Sequence, residues 1–245
     1  MRPETRAKLL EINRRFYESS AFTFSATRKS LQPGVTRLLE SLSTYSGILD
    51  LGCGNGNFAC ALAKSPFAGT YLGIDASEAL IADARAVLAR IQTKAAFTFL
   101  AADLTETAWH ARLAGQTYPI ITCFAVLHHI PDVNARAAFF QRAAELLAPK
   151  GRLLLSVWQL FNNPRLHGHI LPWDTADIDA ADLDAGDYLV DWRAGGQTDH
   201  RYVHVFSARE LQALGKAAGL ELQDEFYSDG KTGNTALYQI WLKPS

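Results

Sequence analysis

The stretch ILDLGCGNGNF, residues 48–58, decides the fold. An apolar run of strand character ends in Asp50, and glycines follow at every second position, Gly52, Gly54 and Gly56. In a parallel sheet the turn after the first strand lies where ligands bind, and glycines there admit close backbone approach. A helix beginning near Asn55 would add free N–H groups for an anionic group such as a carboxylate. The dinucleotide fingerprint G-x-G-x-x-G would put its last glycine where this chain has Asn57. Two acids narrow the ligand further. Asp50, just before the glycines, would repel a pyrophosphate but suits a ligand bearing an ammonium or sulfonium. Asp75, at the end of TYLGID and 19 residues beyond Gly56, sits where an acid accepts both hydroxyls of a ribose. The expected ligand carries a ribose and no phosphates.

Outward from this turn, short β-rich apolar runs alternate with helical patterns: GILDL then FACALAKS, TYLGID then EALIADARAVLARI, FTFLAAD, YPIITCFAV then NARAAFFQRAAELLA, and RLLLSVW. Such alternation predicts βαβ units and a parallel sheet with helices on both faces, and the strands are apolar throughout, as burial on both sides requires. The rhythm stops after Trp158 for about 45 residues rich in Asn, Pro, Asp, Gly and aromatics, until SARELQALGKAAGLEL restores a helix and a strand. The final ALYQIWLK reads as an antiparallel strand. The whole of 1–245 forms one domain in this reading, with 1–40 a helical cap and 159–205 an insertion.

The composition is that of a soluble globular protein, 48% hydrophobic and 20% charged. No apolar stretch of membrane-spanning length is present, and the charged N-terminus is unlike a signal peptide, so the expected location is cytoplasmic, with no membrane partner. Cys53, Cys60 and Cys123 are odd in number, lack metal-ligand spacing and are expected to be reduced. Net charge is −1 but uneven. From residue 1 to 37 eight Lys/Arg face three Glu, a net of +5, whereas 172–191 holds seven aspartates and no base.

D-L-G-C-G-N-G, then G-I-D, then A-A-D at 101–103, then FAVLHHI and LLLSVW, resembles the class I methyltransferases that use S-adenosylmethionine, from about residue 47 to the C-terminus. The resemblance implies a three-layer α/β sandwich around a seven-stranded, mostly parallel sheet with the last strand antiparallel, a Rossmann-like methyltransferase fold. It also implies that Gly52, Cys53 and Gly54 hold the methionine portion of the cofactor and Asp75 the ribose. Asp103 would bind the adenine amino group with Leu104 beside it, Ala76 and Leu80 would wall the adenine, and Phe124, Ala125 and Val126 would lie under the methyl group. No metal is required for such a transfer.

The flanks add F-S-A-T-R at 24–28, S-V-W-Q-L at 156–160, G-D-Y-L-V-D-W at 186–192 and R-Y-V-H-V-F at 201–206. These are similar to segments of the family that methylates the carboxymethyl group on the wobble uridine of transfer RNA. The chain departs from that family after T-R, where K-S-L-Q-P replaces an aromatic and K-P-W-P, and in V-D-W for V-P-W, so the resemblance speaks more firmly for the cofactor than for the acceptor. It implies a tRNA substrate, and some family members need a small zinc-binding partner protein, a need the sequence leaves open. A small-molecule carboxylate or hydroxyl acceptor, and a cofactor-binding protein without turnover, also stay open.

A carboxylate acceptor is already ionised at neutral pH and needs a cation to aim it, whereas a hydroxyl or amine benefits from a base. Arg28, Arg193 and Arg201 are candidates for the cation, because the guanidinium fork matches a carboxylate; Arg28 equally suits the cofactor's own carboxylate. His128 and His129 are candidates for a base, with His204 and Tyr202 behind them, and Trp158, Trp173 and Trp192 for stacking or for lining a closed pocket.

Overall fold

The computed structural model describes residues 1–19, 30–106, 108–163, 167–194 and 197–245, with backbone alone at 19, 193, 194, 197 and 198. Seven strands form one sheet in the order β3-β2-β1-β4-β5-β10-β9. They are β1 (Gly47–Leu51), β2 (Thr70–Asp75), β3 (Ala96–Ala101), β4 (Tyr118–Phe124), β5 (Leu147–Trp158), β9 (Glu221–Ser228) and β10 (Ala236–Leu242). Neighbours from β3 to β5 pair in parallel, and β10 runs antiparallel to both β5 and β9. This is the fold expected from the sequence.

The order reverses between β1 and β4, which opens a crevice beyond their carboxyl ends. Both strands are apolar because helices cover both faces of the sheet. On one face Phe139 and Phe140 of the helix Val133–Leu146 pack against Leu153 and Trp241; on the other Val35 and Leu38 of the helix Pro33–Leu42 pack on Ile48 and Leu154. All five residues of β1 are buried. Burying such side chains contributes on the order of 1.5–3 kcal/mol each, and this fixes where the crevice falls.

The segment after Trp158 is not the irregular stretch its composition predicts. It carries a second, three-stranded antiparallel sheet of β6 (Ile170–Leu171), β7 (Asp187–Ala194) and β8 (Gln197–His204). The N-terminal helix α1 (Pro3–Ser19) lies on β8, where the Asn13 amide bridges the Tyr202 N–H and the His129 carbonyl. No described helix is long and apolar enough to cross a membrane.

Candidate active site

A cavity of about 460 Å³ opens at the carboxyl ends of β1, β2 and β4, under α1 and beside the small sheet. The glycine turn shapes its floor. Gly52 has φ of +81°, and a Cβ there would stand 2.1 Å from Val126 Cγ2. The chain enters the next helix, Asn57–Ala63, through Gly56, two residues later than the sequence suggested. A Cβ on Gly56 would lie 2.7 Å from Ala84 Cβ on the helix Glu78–Leu88, so close helix packing requires glycine at 56, and Asn57 is free to differ from the fingerprint.

Four N–H groups of the turn are used inside the protein. Gly52 and Cys53 both donate to the Ile74 carbonyl, Gly56 to the Cys53 carbonyl, and Gly54 to Asp75 Oδ2 at 2.9 Å. The turn thus offers space in place of a phosphate nest. Asp75 Oδ1 accepts from the Ser77 N–H at 2.9 Å, which locks the carboxylate while leaving lone pairs for two hydroxyls. Burial raises its pKa against these hydrogen bonds.

Asp50 sits deeper in the floor, 3% exposed. Its oxygens accept from Tyr71 Oη at 2.6 Å and Thr122 Oγ1 at 2.7 Å. Burial pushes its pKa up to about 6 even though both hydroxyls favour the ionised form. Asp103 follows β3, exposed, with Oδ1 held by the Thr105 N–H and hydroxyl. Leu80 and Leu104 are buried wall residues, and Ala76 lines the same end. Phe124, Ala125 and Val126 line the floor beyond β4; Ala125 takes a left-handed φ of 58° and donates its N–H to Ser156.

The next three residues form a single 3-10 turn that separates the two histidines. His128 is fully buried, its ring against Trp158 and its Nδ1 at 3.4 Å from the Trp158 N–H, so it does not reach the cavity. His129 lines the cavity. Its Nδ1 lies 3.1 Å from the Tyr202 carbonyl, which can only accept; Nδ1 therefore carries a proton, and Nε2 shares a hydrogen bond of 2.7 Å with Tyr17 Oη, accepting from it when the ring is neutral. Sequence reasoning missed Tyr17, because nothing local marks one aromatic of α1 as facing the cavity.

Arg201 lines the same cavity, nearly fully buried, its guanidinium carbon 4.5, 4.6 and 4.9 Å from the rings of Phe16, Trp158 and Trp192. Trp158 and Trp192 line the cavity as expected, whereas Trp173 packs with Leu9, Ile178 and Tyr202 away from it. Arg28 and the Arg193 side chain lie outside the described residues. Tyr202 and His204 face a separate buried cluster. All three cysteines are free and buried.

The uneven charge of the sequence is largely internal. Arg2 pairs with Asp182 at 3.2 Å and Lys8 with Asp177 at 2.9 Å, so α1 meets the aspartate-rich segment, while Arg14 is held between Glu11 and Glu18.

A ribonucleoside bearing a cationic sulfonium fits this arrangement. Asp75 is braced to accept hydroxyls, Asp50 gives the floor negative character, and the cradle at Gly52 is one that a single Cβ would fill. S-adenosylmethionine meets each requirement. A profile of the methyltransferase domain matches residues 24–225. Among relatives, a tRNA (carboxymethyluridine(34)-5-O)-methyltransferase of Arabidopsis thaliana is 33% identical over 144 residues, 59% of this chain and about a third, 32%, of that protein's length. A putative methyltransferase of Encephalitozoon cuniculi is 26% identical over 86% of this chain and 87% of its own. In fold, the chain superposes with a TM-score of 0.65 on the Burkholderia thailandensis 1,6-didemethyltoxoflavin-N1-methyltransferase, a structure with bound 1,6-didemethyltoxoflavin and S-adenosylhomocysteine, at 19% identity over 99% of this chain and 90% of that one. With the profile covering most of its length, the chain belongs to the methyltransferase-domain family, and its sheet and glycine turn are those of the class I enzymes.

Proposed function

We propose that this protein transfers a methyl group from S-adenosylmethionine to a carboxylate, that of a carboxymethyl-type modified uridine in tRNA. The observation that carries the acceptor class is Arg201, a guanidinium built into the cavity wall by three aromatic rings. The planar fork of a guanidinium can take a carboxylate in two places. Asp75 and Asp103 hold the nucleoside of the cofactor, and Asp50 favours its positive end. The cofactor supplies a methyl group already activated by the sulfonium. The chain's own contribution is alignment and exclusion of water. Arg201 turns one carboxylate oxygen toward the methyl position, and Trp158 and Trp192 present flat faces suited to a planar base. A carboxylate acceptor needs no proton removed. Residues 1–40 then act as the cap and 159–205 as the acceptor side. The tRNA part rests on likeness to the Arabidopsis relative in the matched stretch.

A second reading, a free carboxylic acid of small-molecule size, is favoured by the pairing of the α1 cations, which leaves Arg2, Lys8 and Arg14 neutralised where a tRNA surface is commonly basic. One experiment separates them. The protein is incubated with methyl-labelled cofactor and either total tRNA or a metabolite extract, and the product is treated with mild alkali. Label at a wobble uridine that alkali releases as methanol, the behaviour of an ester, supports the proposal. Alkali-labile label only in metabolites replaces it by the second reading, and alkali-stable label overturns the carboxylate acceptor.

A further inference from the structure

Arg201 and His204 sit on opposite faces of one strand. Successive side chains of β8 alternate, so Arg201 looks into the cavity while Tyr202 and His204 look the other way, into a buried polar cluster that methyl transfer does not use. His204 stands directly across from Asp187 in the register of β7 and β8. Its Nδ1 is 2.6 Å from Asp187 Oδ1 and its Nε2 is 2.9 Å from Glu210 Oε1, on the helix Ala208–Ala217. Carboxylate oxygens only accept, and a neutral imidazole has one N–H, so it would set a lone pair against one of the two oxygens; only the imidazolium donates to both. We infer that His204 is a positioning residue whose proton clamps β8 between β7 and the following helix and thereby holds Arg201 in the cavity wall.

The groups around His204 agree. Asp187 Oδ1 also accepts from Tyr202 Oη at 2.7 Å, and Asp187 Oδ2 from the Asp184 N–H at 3.0 Å. Arg136 enters from the helix Val133–Leu146, with Nη2 2.8 Å from Asp184 Oδ2, Nη1 4.0 Å from Asp187 and Nε 3.9 Å from Glu210. Three carboxylates thus face one guanidinium, and the imidazolium is the second cation. Burial works to lower the His204 pKa, but the hydrogen bonds to Asp187 and Glu210 outweigh it and the pKa stands above its ordinary value. A raised value means the clamp is complete at low pH and is lost as pH rises through the folded-state pKa. Asp75, Gly52 and Asp103 lie on other elements, so loss of the proton raises the KM for the acceptor and leaves cofactor affinity unchanged.

The acceptor part rests on the function proposed above, and the test keeps the two apart. Imidazole nitrogens are titrated by NMR in the full chain with S-adenosylhomocysteine bound, for the wild type and for Glu210→Gln, which keeps an acceptor but removes a charge at a half-exposed site. The expected result is a His204 imidazolium persisting above the ordinary histidine range. In Glu210→Gln the midpoint falls by roughly one pH unit. The pH at which acceptor KM begins to rise falls with it, with kcat and cofactor affinity unmoved. A wild-type midpoint at or below about 6.5 overturns the inference, as does a shifted midpoint with an unmoved KM profile. Should no carboxylate acceptor turn over, that reading fails alone, and amide exchange at Arg201 and Tyr202 replaces KM: exchange quickening with pH at the His204 midpoint supports the clamp, and pH-independent protection overturns it.

Discussion

Gly52→Ala tests whether the floor of the cavity is built as described. The new Cβ meets two separate costs. At φ of +81° an alanine pays roughly 1–2 kcal/mol of left-handed strain. Its Cβ also lands 2.1 Å from Val126 Cγ2, 3.0 Å from Cγ1 and 3.1 Å from Cβ, so no rotation of the valine clears it and the turn or the residue after β4 must shift. Overpacking of this kind costs about 1–3 kcal/mol. The expected total, about 2–5 kcal/mol, lowers the melting temperature of a chain this size by roughly 5–15 °C. Thermal unfolding followed by circular dichroism measures it. Gly52→Ala/Val126→Ala removes the overlap and keeps the strain, so the two substitutions should couple favourably by at least about 1 kcal/mol. Gly52→Ala within about 0.5 kcal/mol of wild type, or a double variant no more stable than the single one, refutes the argument.

Asp50 gives a pH signature. Its pKa of about 6 lies above the ordinary carboxylate value, so the protein without cofactor binds a proton there on folding, and stability falls as pH rises from about 4 through 6. Two pKa units correspond to about 3 kcal/mol, which urea unfolding across that range should register and Asp50→Asn should flatten. Arg201→Gln should raise the KM for a carboxylate acceptor about 10- to 100-fold with cofactor affinity intact, and Arg201→Lys should recover part of it, since charge returns without the fork; an unchanged KM in steady-state kinetics removes Arg201 from the acceptor site.

The parallel sheet was legible because each strand of its core is an apolar run bounded by turn residues, and β1, buried along its whole length, is the clearest case. The small sheet was not. Asp187, Asp191, Arg201 and His204 are buried on one face or the other of its strands alongside Leu189, Val190, Tyr202 and Val203, so charged and apolar residues are buried together, no apolar–polar alternation marks the strands, and the stretch reads as loop. The histidine pair shows another limit. A three-residue 3-10 turn chooses which ring faces the cavity, and no periodicity exists over so short an element. Tyr17 and Arg201 meet the floor through contacts between distant parts of the chain. The opposite charges of α1 and the aspartate-rich segment were visible from the start; their pairing follows only once β8 carries α1 across the insertion. Asp50, Gly52, Asp75 and Asp103 were readable because each is fixed locally, by its place at the end of a strand.

The central claim is that the cavity beyond β1, β2 and β4 binds S-adenosylmethionine through Asp75. Calorimetric titration of the cofactor into the wild type and into Asp75→Ala, with the fold of both checked by circular dichroism, tests it directly. Binding by the wild type and a loss of about 100-fold or more in the variant are predicted, from two hydroxyl hydrogen bonds to a charged acceptor. Equal affinity for the two, or no binding by the wild type, would contradict the account.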